Sequence, residues 1–200
     1  MTAYDLPETR FAQSGNVSIA YQVVGNGPID MIFVPGIVSN VELGHEHPGY
    51  TEFFKLLSRF CRVATFDKRG QGLSDRISGA PTLEDRADDV RAVMDDIGMK
   101  RAVLLAHSEG AAMGAFFAAA HPERVSHLII HGGIPKFLRS DDYPFGPTEE
   151  QLELTARRYG TGVLLKRAAP SSIDDEASLA AAARFERQSC SPGNFKALLA

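Results

Sequence analysis

The 200-residue chain has no tryptophan and only two cysteines, Cys61 and Cys190. Two thiols this far apart make neither a disulfide framework nor a metal-ligand pattern. There is no long basic run and the formal net charge is −4, which argues against nucleic acid as a main partner. No positively charged start leads into an apolar stretch, so no signal peptide is expected. The longest uncharged apolar stretch, Gly110 to Ala120, is too short to cross a bilayer, and no membrane partner is expected. The expectation is a soluble cytoplasmic protein. Histidine is missing from the whole chain after His131, an absence that bears on the chemistry.

With 44% hydrophobic residues, the chain can build one domain with a proper core. Thr9 to Gln13 and Val17 to Val24 flank Ser14-Gly15-Asn16 and read as a hairpin. Ile29 to Val34, Cys61 to Phe66, Arg101 to Ala106 and Arg124 to His131 are short, mostly apolar runs of the kind that form buried parallel strands. Between them fall helix patterns. One spans Gly49 to Arg59. Another opens at a Thr82/Asp85 capping box, carries the stripe Leu83, Ala87, Val90, Met94, Ile97, and stops at Gly98. A third, Ala111 to Ala120, is apolar on every face and is expected to be wholly buried. Strand and helix in alternation predict a mainly parallel sheet with helices on both faces, and ligands bind beyond the carboxyl ends of such strands.

Residues 1–135 form this core. Residues 136–200 lack a strong strand-like run and read as a helical cap over the site. Helices are expected over Glu149 to Tyr159, Asp174 to Ser189 and from Asn194 onward, with Thr148 and Ser172 as N-caps and Ser191-Pro192-Gly193 as a turn.

The chemistry concentrates at Ala106-His107-Ser108-Glu109-Gly110. A strand that turns directly into a helix forces a sharp bend, which tolerates only small residues two places either side of its apex. The serine hydroxyl is thereby lifted clear of the sheet at the positive end of the helix, where the Glu109 N–H can donate to a developing oxyanion. Pro35-Gly36-Ile37 follows the Ile29 run, and a glycine turn there would aim the Ile37 amide at the serine as a second donor. Gly36, His107 and His131 lie close enough in this plan to line the pocket. After the Cys61 run comes Asp67-Lys68-Arg69-Gly70-Gln71-Gly72-Leu73-Ser74, a tight turn that Asp67 and Arg69 can tie together with ionic hydrogen bonds.

The ordered set Val-Pro-Gly-Ile, Asp-x-Arg-Gly-x-Gly-x-Ser and Ala-His-Ser-Glu-Gly resembles the α/β-hydrolase superfamily. More narrowly, it looks like bacterial hydrolase-like domains that occur alone or joined to nucleotide cyclases or transcription regulators. The resemblance covers Val17 to Gly133. Ala106 stands where the family's first glycine is usual, and Pro35-Gly36 where His-Gly is common. It implies hydrolysis of a small ester or related acyl substrate through an acyl-enzyme on Ser108, a carboxylic-ester hydrolase activity with no metal or organic cofactor.

Such a serine needs an imidazole base and an orienting carboxylate, which in this fold follow it in the chain. Neither a later histidine nor a clear later strand is present, so the usual triad is not complete within these residues and the chain is expected to be a fragment. The alternative is a non-catalytic, hydrolase-like sensor domain that binds a small apolar ligand and regulates a linked domain. His131 is the best histidine already present. His107 reads as a packed neighbour, His121 as a helix-end residue and His127 as core or face. His45-Glu46-His47 has ligand spacing but no further ligands and reads as a loop at the pocket mouth. The Arg124 strand is expected to present an exposed apolar edge prone to association.

Overall fold

The computed structural model describes residues 6–172 and 175–198. Six strands form one sheet in the order β1-β2-β4-β3-β5-β6. β1 (Arg10–Ser14) and β2 (Val17–Val24) make the hairpin, and β2 runs antiparallel to β4 (Cys61–Phe66) with Tyr21 opposite Phe66. β3 (Ile29–Val34), β5 (Ala102–His107) and β6 (Val125–His131) continue the sheet in parallel from β4. The parallel strands therefore all deliver their carboxyl ends to one edge.

The pleat divides each strand between two cores. Ile32, Val34, Leu104 and Ala106 point to the face covered by α2 (Leu83–Asp96) and α3 (Gly110–Ala120), where they meet Val90, Met94, Met113 and Phe117. Met31, Phe33, Val103 and Leu105 point to the face covered by α1 (Pro48–Leu57), against Phe54. The Thr82 hydroxyl accepts from the Asp85 N–H and the Asp85 carboxylate accepts from the Thr82 N–H, completing the capping box. Two expectations need correction. Leu83 is exposed, so the buried stripe of α2 starts at Ala87, and Arg86 and Asp89 are buried beside it. α3 is not buried all round: Ala112, Ala115, Ala119 and Ala120 face solvent, which alanine tolerates because it exposes so little apolar area.

The remaining elements are α4 (Glu149–Arg157), α5 (Val163–Ala168), α6 (Glu176–Ser189) and α7 (Pro192–Leu198). Ala156, Tyr159, Cys190 and Phe195 form a small core of their own that packs on Ile37 and Val38. Asp175, not Ser172, caps α6, and the expected start at Asp174 lies outside the described residues. Pro192 and Gly193 open α7 rather than forming a separate turn, because proline suits the first helical position. α5 follows Gly160 and Gly162 and has no local signature. The Glu186 carboxylate holds its start by accepting the N–H groups of Gly160, Gly162 and Leu164 at 2.8, 2.9 and 2.8 Å.

Candidate active site

Ser108 has φ +53° and is the only non-glycine residue with positive φ among those described. A left-handed backbone costs an L-residue about 1–2 kcal/mol, so the surroundings must impose it. They do so by crowding. A Cβ on Gly110 would fall within contact distance of the Pro35 carbonyl oxygen, and one on Gly36 would lie 3.2 Å from the Ser108 Cβ. A Cβ on Gly114 would lie 2.7 Å from the Ala106 Cβ. Glycine at 114 therefore makes room for alanine at 106. The Ser108 N–H donates to the His131 carbonyl at 2.9 Å, tying the corner to the end of β6.

The loop after β3 is held against this corner from below. The Ile37 carbonyl accepts from Gln71 Nε2 at 3.0 Å and from Lys68 Nζ at 3.3 Å. Lys68 Nζ also donates to Glu109 Oε2 at 2.6 Å, and Arg86 donates to Glu109 Oε1. Gln71 Oε1 accepts from the Ser39 N–H at 2.8 Å, and the Asp67 carboxylate accepts from the Val41 and Leu73 N–H groups at 3.0 and 2.9 Å. Among the described residues the N–H groups of Ile37 and Glu109 donate to no partner.

Burial pushes the Glu109 carboxyl up, but the Lys68 and Arg86 charges outweigh it and hold the group down at about 2. Burial pushes the Lys68 ammonium down, and Glu109 opposes that shift. For Asp67 burial prevails over its hydrogen bonds and raises the carboxyl to about 7. Arg69 does not join Asp67 in tying the turn. It makes a paired contact with Asp89 of α2 at 2.9 and 2.7 Å, and a further ion pair to Asp85 at 3.2 Å.

A cavity of about 580 Å³ opens beside the corner. Pro35, Gly36, His107 and His131 form its polar-backbone end, and Phe33, Phe53, Leu105, Ile129 and Phe185 line much of the rest. His107 and His131 pair in register at the ends of β5 and β6, with their Nδ1 atoms 3.0 Å apart. One of the two Nδ1 atoms must carry a proton and the other must not. Burial, then the His131 ring, pushes the His107 imidazole below its ordinary value.

The other histidines lie apart. His45 shares hydrogen bonds with Gln22 and Thr51, at 3.0 and 3.3 Å, in a single turn (Leu43–Glu46), while His47 is exposed. His121 is 3.8 Å from Glu123, and His127 sits exposed on β6 rather than in a core. The residues that sequence reasoning passed over are Lys68, Gln71 and Arg86. Their partners lie 31, 34 and 23 positions away, so no local pattern announces them.

The structure thus has a left-handed serine between a central parallel strand and a helix, with Gly36 of the loop after β3 against its Cβ. A family model described as alpha/beta hydrolase fold matches residues 31–195. This chain belongs to the α/β-hydrolase fold family. Among solved structures, the esterase RhEst1 from Rhodococcus sp. ECU1013 matches with a TM-score of 0.74 at 24% identity, over 96% of this chain and 72% of that one. The enol-lactonase from Burkholderia xenovorans LB400 also gives 0.74, at 19% identity, over 95% of this chain and 72% of that one. Among curated relatives, the putative carbamate hydrolase RutD of Caulobacter sp. (strain K31) is 32% identical over 123 residues, 60% of this chain and 45% of that protein. The 2-(acetamidomethylene)succinate hydrolase of Mesorhizobium japonicum is 30% identical over 121 residues, 60% and 41% respectively. The chain thus spans less than half the length of these two relatives. No helix among the described residues is long and apolar enough to cross a membrane.

Proposed function

We infer that the chain carries the nucleophile side of a serine hydrolase acting on a small ester or related acyl substrate. The strained backbone of Ser108, a positive φ on a serine at a strand–helix corner, is the observation that carries this reading. Ser108 Oγ attacks the acyl carbon, the Ile37 and Glu109 N–H groups receive the oxyanion, and collapse of the adduct releases the alcohol and leaves an acyl-enzyme. Water then releases the acid. The unengaged amides of Ile37 and Glu109 support the second role, and the largely apolar cavity supports an apolar acyl group. The step requires an imidazole base and a carboxylate that the described residues do not hydrogen-bond to Ser108. Residues 136–200 act in this reading as a helical cap, supported by their packing on Ile37 and Val38.

The test is Ser108→Ala in the full-length protein, assayed with p-nitrophenyl acetate and a fluorophosphonate probe. The expected result is loss of labelling and a fall in turnover of at least about 10³-fold. Unchanged labelling or turnover refutes the nucleophile. A variant-insensitive protein that is thermally stabilised by apolar ligands without turning them over would be a binding domain instead.

A further inference from the structure

We propose that Lys68 is a positioning residue for the oxyanion hole, with one buried ammonium holding both of its halves. This rests on the serine hydrolase reading above. One half is the elbow, reached through the Glu109 carboxylate at 2.6 Å; the other is the loop after β3, reached through the Ile37 carbonyl at 3.3 Å. In the reading above, each held residue is also the one whose own N–H receives the oxyanion. Fixing the Ile37 carbonyl sets the peptide plane that follows its N–H, and fixing the Glu109 side chain sets the first residue after Ser108. Gln71 doubles the hold on Ile37 and is itself fixed by the Ser39 N–H and hydroxyl at 2.8 and 3.1 Å.

Charge balance points the same way. Lys68 is 1% exposed, and lysine is seldom fully buried unless paired. Glu109 already has Arg86 as a counter-ion, so Lys68 is not required to neutralise it. Lys68 and Arg86 share the single Glu109 carboxylate, so this cluster carries two positive charges to one negative. In the serine hydrolase reading, a negative oxygen that develops at the two amides is stabilised further by that local excess. An interaction that strengthens only in the transition state accelerates the chemical step and leaves substrate binding nearly unchanged.

The experiment compares Lys68→Met, Gln71→Met and Ser108→Ala in the full-length protein, with cooperative melting as the folding control. Turnover of p-nitrophenyl acetate is measured beside the affinities of phenylboronate, which forms a tetrahedral adduct, and of benzoate, which does not. For Lys68→Met the expected result is a kcat lower by about 10²–10³-fold with KM nearly unchanged. Phenylboronate affinity falls with kcat, while benzoate affinity holds. A folded Lys68→Met protein that keeps its kcat, or that loses both ligands equally, overturns the proposal. Should Lys68→Met fail to fold, Gln71→Met decides, since it removes a donor to Ile37 and leaves the ion pairs. A kcat drop of about tenfold with the same ligand split supports the proposal, and no split overturns it. If Ser108→Ala stays active, the hydrolase reading itself fails; if Ser108→Ala is dead and the folded Lys68 variant is not, only the Lys68 inference fails.

Discussion

The two sides of Ser108 are built differently. On the β4 side, Asp67, Lys68 and Gln71 are no more than 1% exposed, and each is hydrogen-bonded or ion-paired. On the β6 side, Leu128, Ile129 and Ile130 are 36, 46 and 52% exposed, and the histidine pair closes the strand end. On the first side Lys68 and Gln71 both hold the Ile37 carbonyl, Lys68 and Arg86 share the Glu109 carboxylate, and Asp67 accepts the Val41 and Leu73 N–H groups. The second is an apolar edge whose last residue, His131, meets the corner through the Ser108 N–H and the His107 ring. Positional accuracy is thus concentrated where charge would develop, and the open side contributes shape.

Breaking the network should have the largest effect. Glu109→Gln leaves two buried cations without their counter-charge and is expected to cost about 3–5 kcal/mol at neutral pH, measured by denaturant unfolding. The difference should shrink on acidification. The Glu109 carboxyl sits at about 2 in the fold against an ordinary 4.5. A depressed value means that ionisation favours the folded state. Its contribution, about 3 kcal/mol, is complete above pH 4.5 and disappears as pH falls through 2. A gap independent of pH across that window would remove the electrostatic account of the elbow.

Gly110→Ala tests crowding rather than charge. Its methyl must displace the Pro35 carbonyl, which belongs to backbone and cannot swing away, so a loss of about 2–3 kcal/mol in stability is expected. A neutral substitution would mean that the loop after β3 is not clamped. The smallest effect belongs to the open side. Ile130→Lys should change folding stability by less than about 0.5 kcal/mol, yet reduce self-association of the 200-residue chain in sedimentation, because charge blunts an exposed edge. Equal association in both proteins would show that the edge is not what joins them.

The same contrast separates what the sequence made legible from what it did not. Alternating apolar runs and the Thr82–Asp85 cap marked β3 to β6 and α2 because period and capping are local properties. The corner at Ser108 was legible because its small neighbours, Ala106 and Gly110, stand within two residues of it. The Lys68–Glu109–Arg86 cluster was not, since a charged residue after a strand reads equally well as solvated. Only the packing of three separate elements buries it. α5 was missed for a similar reason: a six-residue helix has little propensity of its own, and the carboxylate that secures its start lies on α6. Period alone places Leu83 in the core, although it lies in the first turn, ahead of the part of α2 that meets the sheet.

The contact between Ala106 and Gly114 also orders the routes by which this corner can change. A single methyl's worth of space is shared between a strand and a helix. Moving that methyl from residue 106 to residue 114 takes two substitutions, and their order is not free. Ala106→Gly must come first, through a state with glycine on both sides, because the reverse order passes through two Cβ atoms 2.7 Å apart. The first position of the elbow motif is therefore sterically coupled to a residue eight places downstream that no elbow motif includes.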